Sequence, residues 1–227
     1  MHSARLSRMQ FCLIALSCAF FAFFVRAEAA EPADTLRFDF ESGDLQDWRV
    51  IEGGFGLLVC DRAEFHHTGE PYNKHGKYFL SSLEQPDYKP SDHFTGVVES
   101  PVFVLSSPEM QMLVGGGKHA DTYVALCTLD GTEHIKARGD NSQTMVERSW
   151  NKPELVGQKC FLRIVDRNTG GWGHLTFDHF VARGAIDAEA TKTRFAQVEL
   201  ALLKKNIAME LDACPLEPVQ AAVEHLM

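Results

Sequence analysis

The sequence predicts an all-β sandwich followed by one amphipathic helix, and three observations carry that expectation. From Leu36 to about Ala182 short runs of β-branched, aromatic and aliphatic residues alternate with Gly, Pro, Asn, Asp and Ser clusters. Between Leu126–Leu129 and His134–Ile135 stands Asp130-Gly131, a two-residue hairpin signal. After Gly184 the punctuation stops: Ile186 to Leu211 holds no glycine or proline, and Phe195, Val198, Leu202, Ile207 and Leu211 recur at helical steps.

Residues 1–29 read as a secretory signal peptide. Arg5 and Arg8 form a basic start, Phe11 to Val25 is apolar, and Ala27-Glu28-Ala29 gives a small-x-small cleavage site. The apolar run, about 15 residues, is short of the roughly 20 that a spanning helix needs. A secreted or periplasmic protein is expected. Cleavage removes three arginines and one glutamate, moving the formal charge from −9 to −11. So acidic a surface argues against nucleic acid as a partner. The remainder divides into a sandwich over 36–183 and a helical tail over 185–227, which either folds back on the sandwich or docks a second copy or another protein.

The strand expectations are Leu36–Phe40, Phe55–Val59, Lys77–Leu80, Val97–Leu105, Met110–Val114, Tyr123–Leu129 and Phe161–Val165. The stretch Gly170-Gly171-Trp172-Gly173-His174 joins the last of these to Leu175–Phe180, and the whole reads as a hairpin. Leu175, Phe177 and His179 are expected on one face, with Thr176, Asp178 and Phe180 on the other. Cys60, Cys127 and Cys160 lie in apolar runs, where cysteine packs as a small hydrophobe, and neither they nor Cys214 give a bridge that spacing can assign.

A tryptophan on a glycine loop suits a sugar, whose ring face stacks on indole while its hydroxyls bond to polar neighbours. Trp172, His174, His119, Asp166 and Arg163 are the candidate carbohydrate-binding residues. If the first and last strands are neighbours, Glu41 and Asp178 come together, and two close carboxylates call for a proton or a cation such as calcium. No Gly-x-Ser-x-Gly or His-Glu-x-x-His motif occurs, and no carboxylate pair is singled out for glycoside hydrolysis.

Thr95 to Phe103, Leu113 to His119, Leu129-Asp130-Gly131, Met145 with Trp150, and Leu162 to Asp166 leading into Gly170 to His174 with Asp178 resemble the β-sandwich accessory domain of secreted fructan-hydrolysing glycoside hydrolases, the levanases and inulinases. Phe40-Glu41-Ser42-Gly43 with Trp48 resembles the start of galactose-binding-like jelly-roll modules. The resemblance implies a noncatalytic, carbohydrate-associated jelly roll, a polysaccharide such as fructan as ligand, and a structural calcium falling on Glu41 and Asp178. The Asn-Asp-Pro, Arg-Asp-Pro and Glu-Cys motifs of the catalytic propeller are not in this sequence, so the activity is not implied.

Overall fold

In a computed structural model, residues 32–62, 73–87, 89–212 and 224 are described. The expected signal peptide, Cys214 and most of the chain after Asp212 lie outside them. The elements are β1 (Thr35–Phe38), β2 (Arg49–Gly53), β3 (Val59–Cys60), β4 (Phe79–Ser81), β5 (Gly96–Glu99), β6 (Phe103–Gly116), β7 (Thr122–Thr128), β8 (Glu133–Ala137), β9 (Ser142–Asn151), β10 (Lys159–Asp166), β11 (Leu175–Ile186) and α1 (Ala188–Asp212).

They form the expected jelly-roll β-sandwich with a C-terminal helix. One leaf runs β2-β5-β10-β7-β8; the other runs β9-β6-β11, with β1 and then β4 and β3 beyond β11. The leaves join where Lys159 and Cys160 of β10 meet Val104 and Phe103 of β6. The chain turns this corner at Ser100-Pro101, so the expected strand Val97–Leu105 is two strands, one in each leaf. Proline has no N–H to give a ladder, and Ser100 serves the break by accepting the N–H of Leu162 on its hydroxyl, 2.9 Å away.

Between the leaves lies the apolar core. Even-numbered residues of β10 point inward (Cys160, Leu162, Ile164) and meet Phe38, Trp48, Met110, Phe177 and Phe180 from the other side. The aromatic rings interlock edge-on: Phe38 and Trp48 lie 5.3 Å apart at 85°. Odd-numbered residues of β7 and β10 face outward. There Phe161, Cys127, Ala125 and Val102 make a second, smaller cluster closed by Ala190 of α1.

The first turns of α1 therefore fold back on the sandwich. Asp187 caps the helix through the N–H of Ala190 (2.9 Å), and Thr191 accepts the N–H of Val102 (2.9 Å). Arg194 and Arg163 both donate to Glu99, which is fully buried. Farther along, Leu200, Leu203 and Met209 are exposed.

Several expectations are corrected. The Trp172 stretch is not a hairpin: β10 pairs with β5, β6 and β7, while β11 pairs with β1, β4 and β6, so residues 167–174 cross from one leaf to the other. Hydrophobic periodicity gives the strands but not the direction of the loop between them. The last strand, β11, runs past Gly184 to Ile186. Met110–Val114 belongs to the long β6, whose residues Ser106 to Glu109 bulge against Arg183. Of the expected Phe55–Val59 strand only Val59 lies in a strand, although Leu57 and Leu58 still bond the backbone of Glu84 and Ser81; β2 and β9, both mostly polar at exposed positions, carry no clear strand pattern. The Asp130-Gly131 hairpin is present, with Gly131 left-handed (φ 86°) and Asp130 accepting from the Thr128 hydroxyl at 2.6 Å. Its loop, Leu129 to Thr132, is longer than two residues.

Arg194→Ala removes one of the two cations on buried Glu99, and is expected to destabilise the protein by about 2 kcal/mol in urea melts. A chain ending at Asp187, which also bares Phe161, is expected to lose more. If it melts like the full-length protein, the helix contributes nothing to the fold.

Candidate carbohydrate site and first–last strand junction

Three glycines at the end of β6 shape the Trp172 corner. A Cβ at Gly117 would fall on the carbonyl oxygen of Trp172, and one at Gly116 on that of His174. Without side chains there, the crossing loop lies on the strand end, and the Gly117 N–H donates to the His174 carbonyl at 2.7 Å. The loop is tied further by Gly173 N–H to the Gly170 carbonyl (2.8 Å) and by His119 Nε2 against the Gly171 carbonyl (3.1 Å). Trp172 is held at φ 66°, a left-handed conformation costly for a bulky residue. Its indole is half-buried, belongs to none of the apolar clusters, and stacks on the His174 ring at 5.8 Å and 27°.

His174 forms the backing of that platform. It is buried and pinned through both nitrogens, with Nδ1 2.6 Å from Asp92 Oδ1 and Nε2 3.2 Å from Gln143 Oε1. Nothing in the spacing of Asp92 or Gln143 signals this role.

The other two candidate residues do not join the patch. Asp166 is completely buried. It accepts from the Ser82 hydroxyl at 2.5 Å, and that hydroxyl accepts the Leu175 N–H at 2.9 Å. Asp166 is thus a strut joining the ends of β10 and β4 to the start of β11. Burial pushes its carboxyl up to about 7, and the charges of Asp92 and Asp121 push the same way. Arg163, three residues away on a strand, faces the opposite side, where it bonds Glu99 and lies 5.4 Å from the Phe161 ring.

At the other junction β1 and β11 pair antiparallel, Phe38 opposite Phe180, so the first and last strands are neighbours as expected. Glu41 and Asp178 converge on one segment, 73–78. Glu41 accepts the N–H groups of Lys77 and Tyr78, each within 2.9 Å. Asp178 accepts that of His75 at 2.7 Å. It also accepts the His179 N–H at 2.6 Å, which fixes a bulge where His179 is left-handed (φ 49°). The bulge shifts the side-chain phase, so Phe177 and Phe180 both enter the core and the expected Leu175–Phe177–His179 face is broken. Burial raises the Asp178 carboxyl to about 7, with Glu41 and Asp39 adding to the rise. These hard oxygens are of the kind calcium takes, and a cation would relieve that repulsion. Among the described residues, however, no group of three or more His, Cys, Asp or Glu is placed to hold a metal.

No family model matches the chain. A stretch of 87 residues is 29% identical to ecdE of Aspergillus rugulosus, named as a predicted glycosyl hydrolase; the match covers 38% of this chain and 12% of that protein. Among solved structures, the K1 adhesin domain of Lys-gingipain from Porphyromonas gingivalis is 14% identical at a TM-score of 0.44, over 66% of this chain and 98% of that one. The carbohydrate-binding module TmCBM61, solved with β-1,4-galactotriose, is 16% identical at 0.42, over 64% of this chain and 94% of that one. No helix among the described residues is long and apolar enough to cross a membrane.

Asp166 and Asp178 bind a proton more tightly folded than unfolded, where an aspartate titrates near 4. Their contribution is therefore complete below about pH 4 and is lost as pH rises through about 7, at up to about 1.4 kcal/mol per unit for each group. Denaturant melts from pH 4 to 8 should show stability falling with pH. Asp166→Asn, which can still meet Ser82 and the Asn168 N–H, should flatten that slope; an unchanged slope would refute the assignment.

Proposed function

We propose that the protein is an exported, noncatalytic carbohydrate-binding module, with fructan or a related polysaccharide as its ligand. The observation that carries this reading is the Trp172 platform: an indole outside the core, held in a strained conformation and backed by a pinned histidine. His174 stacks on it and His119 ties down the Gly171 carbonyl beside it; strained residues persist where their surroundings over-determine them, and they gather at binding sites. The short stretch shared with a much longer glycosyl hydrolase supports an association with carbohydrate. Asp166, shut away under Ser82, is not available to a substrate.

A second reading is favoured by a different observation. The later turns of α1 expose Leu200, Leu203 and Met209, a surface suited to self-association or to a protein partner. Light scattering of the native chain and of Leu200→Glu/Leu203→Glu separates the two: an assembly that the double variant dissolves supports docking through the helix.

Trp172→Ala is expected to weaken inulin or levan binding at least about tenfold in affinity electrophoresis, with stability changed by less than about 1 kcal/mol. A variant that binds normally removes the stacking reading. A structural calcium between Glu41 and Asp178 belongs to the same proposal. It predicts a melting temperature that rises with calcium, stabilisation reaching about 2.7 kcal/mol at a hundredfold excess over the dissociation constant, and no rise in Asp178→Ala. Identical melts in calcium and in chelator refute it.

A further inference from the structure

A concavity distinct from the Trp172 corner lies where the turn after β1 faces the start of α1. It encloses about 800 Å³ between residues 44–49 on one wall and Lys192, Phe195 and Glu199 on the other, over Pro101 and Ile186. That is within the range of ligand pockets. The turn wall is rigid and strained. Gln46 and Asp47 are consecutive left-handed residues (φ 46° and 64°). The Gln46 side chain locks the turn by accepting the N–H groups of Asp39 (3.1 Å) and Phe40 (3.0 Å). Non-glycine residues hold such conformations only when their surroundings over-determine them, and they gather at ligand clamps.

The chemistry of this groove differs from that of a sugar platform. Its two aromatic residues offer no open face: Trp48 is 3% exposed and packed against Phe38, and Phe195 carries the Arg49 guanidinium 4.8 Å above its ring. The apolar surface on offer is aliphatic, with Ile186 43% exposed. Most of its charges are already matched. Arg49 pairs with Glu199, and Asp44 accepts the Ser42 hydroxyl at 2.7 Å and the Gln46 N–H at 2.9 Å. One carboxylate and one ammonium are not matched: Asp47 on the turn wall and Lys192 on the helix wall have no side-chain partner among the described residues. The indole N–H of Trp48 is likewise buried without an acceptor among them, an omission that folded proteins seldom leave.

We infer that this groove binds a short apolar peptide with free ends, its ammonium meeting Asp47, its carboxylate meeting Lys192 and its aliphatic side chains lying over Ile186. Opposite unpaired charges on facing walls suit a zwitterion, and an aliphatic floor suits its side chains.

The test is calorimetric titration of the full chain with trileucine, with its N-acetylated and C-amidated form, and with inulin. Trileucine should bind, and the blocked peptide at least about tenfold more weakly. Lys192→Met and Asp47→Asn, both at exposed positions and the latter suited to a left-handed backbone, should each weaken trileucine about tenfold while leaving the melting temperature and inulin titration unchanged. The inference is overturned if trileucine does not bind, if the blocked peptide binds equally well, or if either substitution leaves trileucine binding intact. It is also overturned if Lys192→Met weakens inulin instead. Because the Trp172 variant reads glycan binding alone, failure of either site is told apart from failure of the other.

Discussion

The structure depends on what β11 is required to do. One edge of this strand pairs along β6, and the other serves β4 through Thr176 and Phe177 and then β1 through Phe180 to Arg183. A flat strand could not keep an unbroken inward face while changing neighbours part-way. The bulge at His179 resolves the conflict by re-aiming the chain, so that Phe177 and Phe180 both point into the core. Asp178 holds the bulge through the His179 N–H and, through the His75 N–H, ties down the segment beyond. The same strand begins at the crossing loop that carries Trp172, so the register of β11 sets both the closing junction and the position of the indole.

The outer face of the first leaf has a separate logic. Glu99 is fully buried on that face, where a lone carboxylate would be costly. Arg163 comes from the neighbouring strand and Arg194 from the helix, and both reach it within 2.9 Å. The helix is thereby oriented by a charge rather than by apolar contact alone. Ala190 and Phe195 are its only buried side chains among the described residues. This explains why its start is docked although its later turns present leucines to solvent.

How much of this was legible in the sequence can be traced to particular residues. Strand runs rich in apolar residues, such as Cys160 to Val165, were readable because both faces are covered. The polar β9 was not, because its alternation is interrupted by charged residues on its open face. The meeting of Glu41 and Asp178 at one segment follows from first and last strands being neighbours, a constraint of closed sandwiches. Arg163 and Asp166 stand three apart on a strand, so the period of two already separates them; grouping them around Trp172 ignored that rule. Asp92, Gln143 and Ser82, which fix His174 and Asp166, come from distant segments and from residue types common in loops. Only the folded chain brings them together. A hairpin and a crossing between leaves also share one local signature, since both are two strands joined by a glycine-rich turn.

The buried cysteines have a consequence for the reactivity of the folded protein. Cys60, Cys127 and Cys160 are free thiols packed away from solvent, and burial lifts Cys127 to about 12 and Cys160 to about 11, with Cys60 raised as well. Thiolate, the species that attacks disulfides and oxidants, is therefore scarce at all three. Their place in the architecture is that of small apolar side chains, and the core around them is complete with all three in the thiol form.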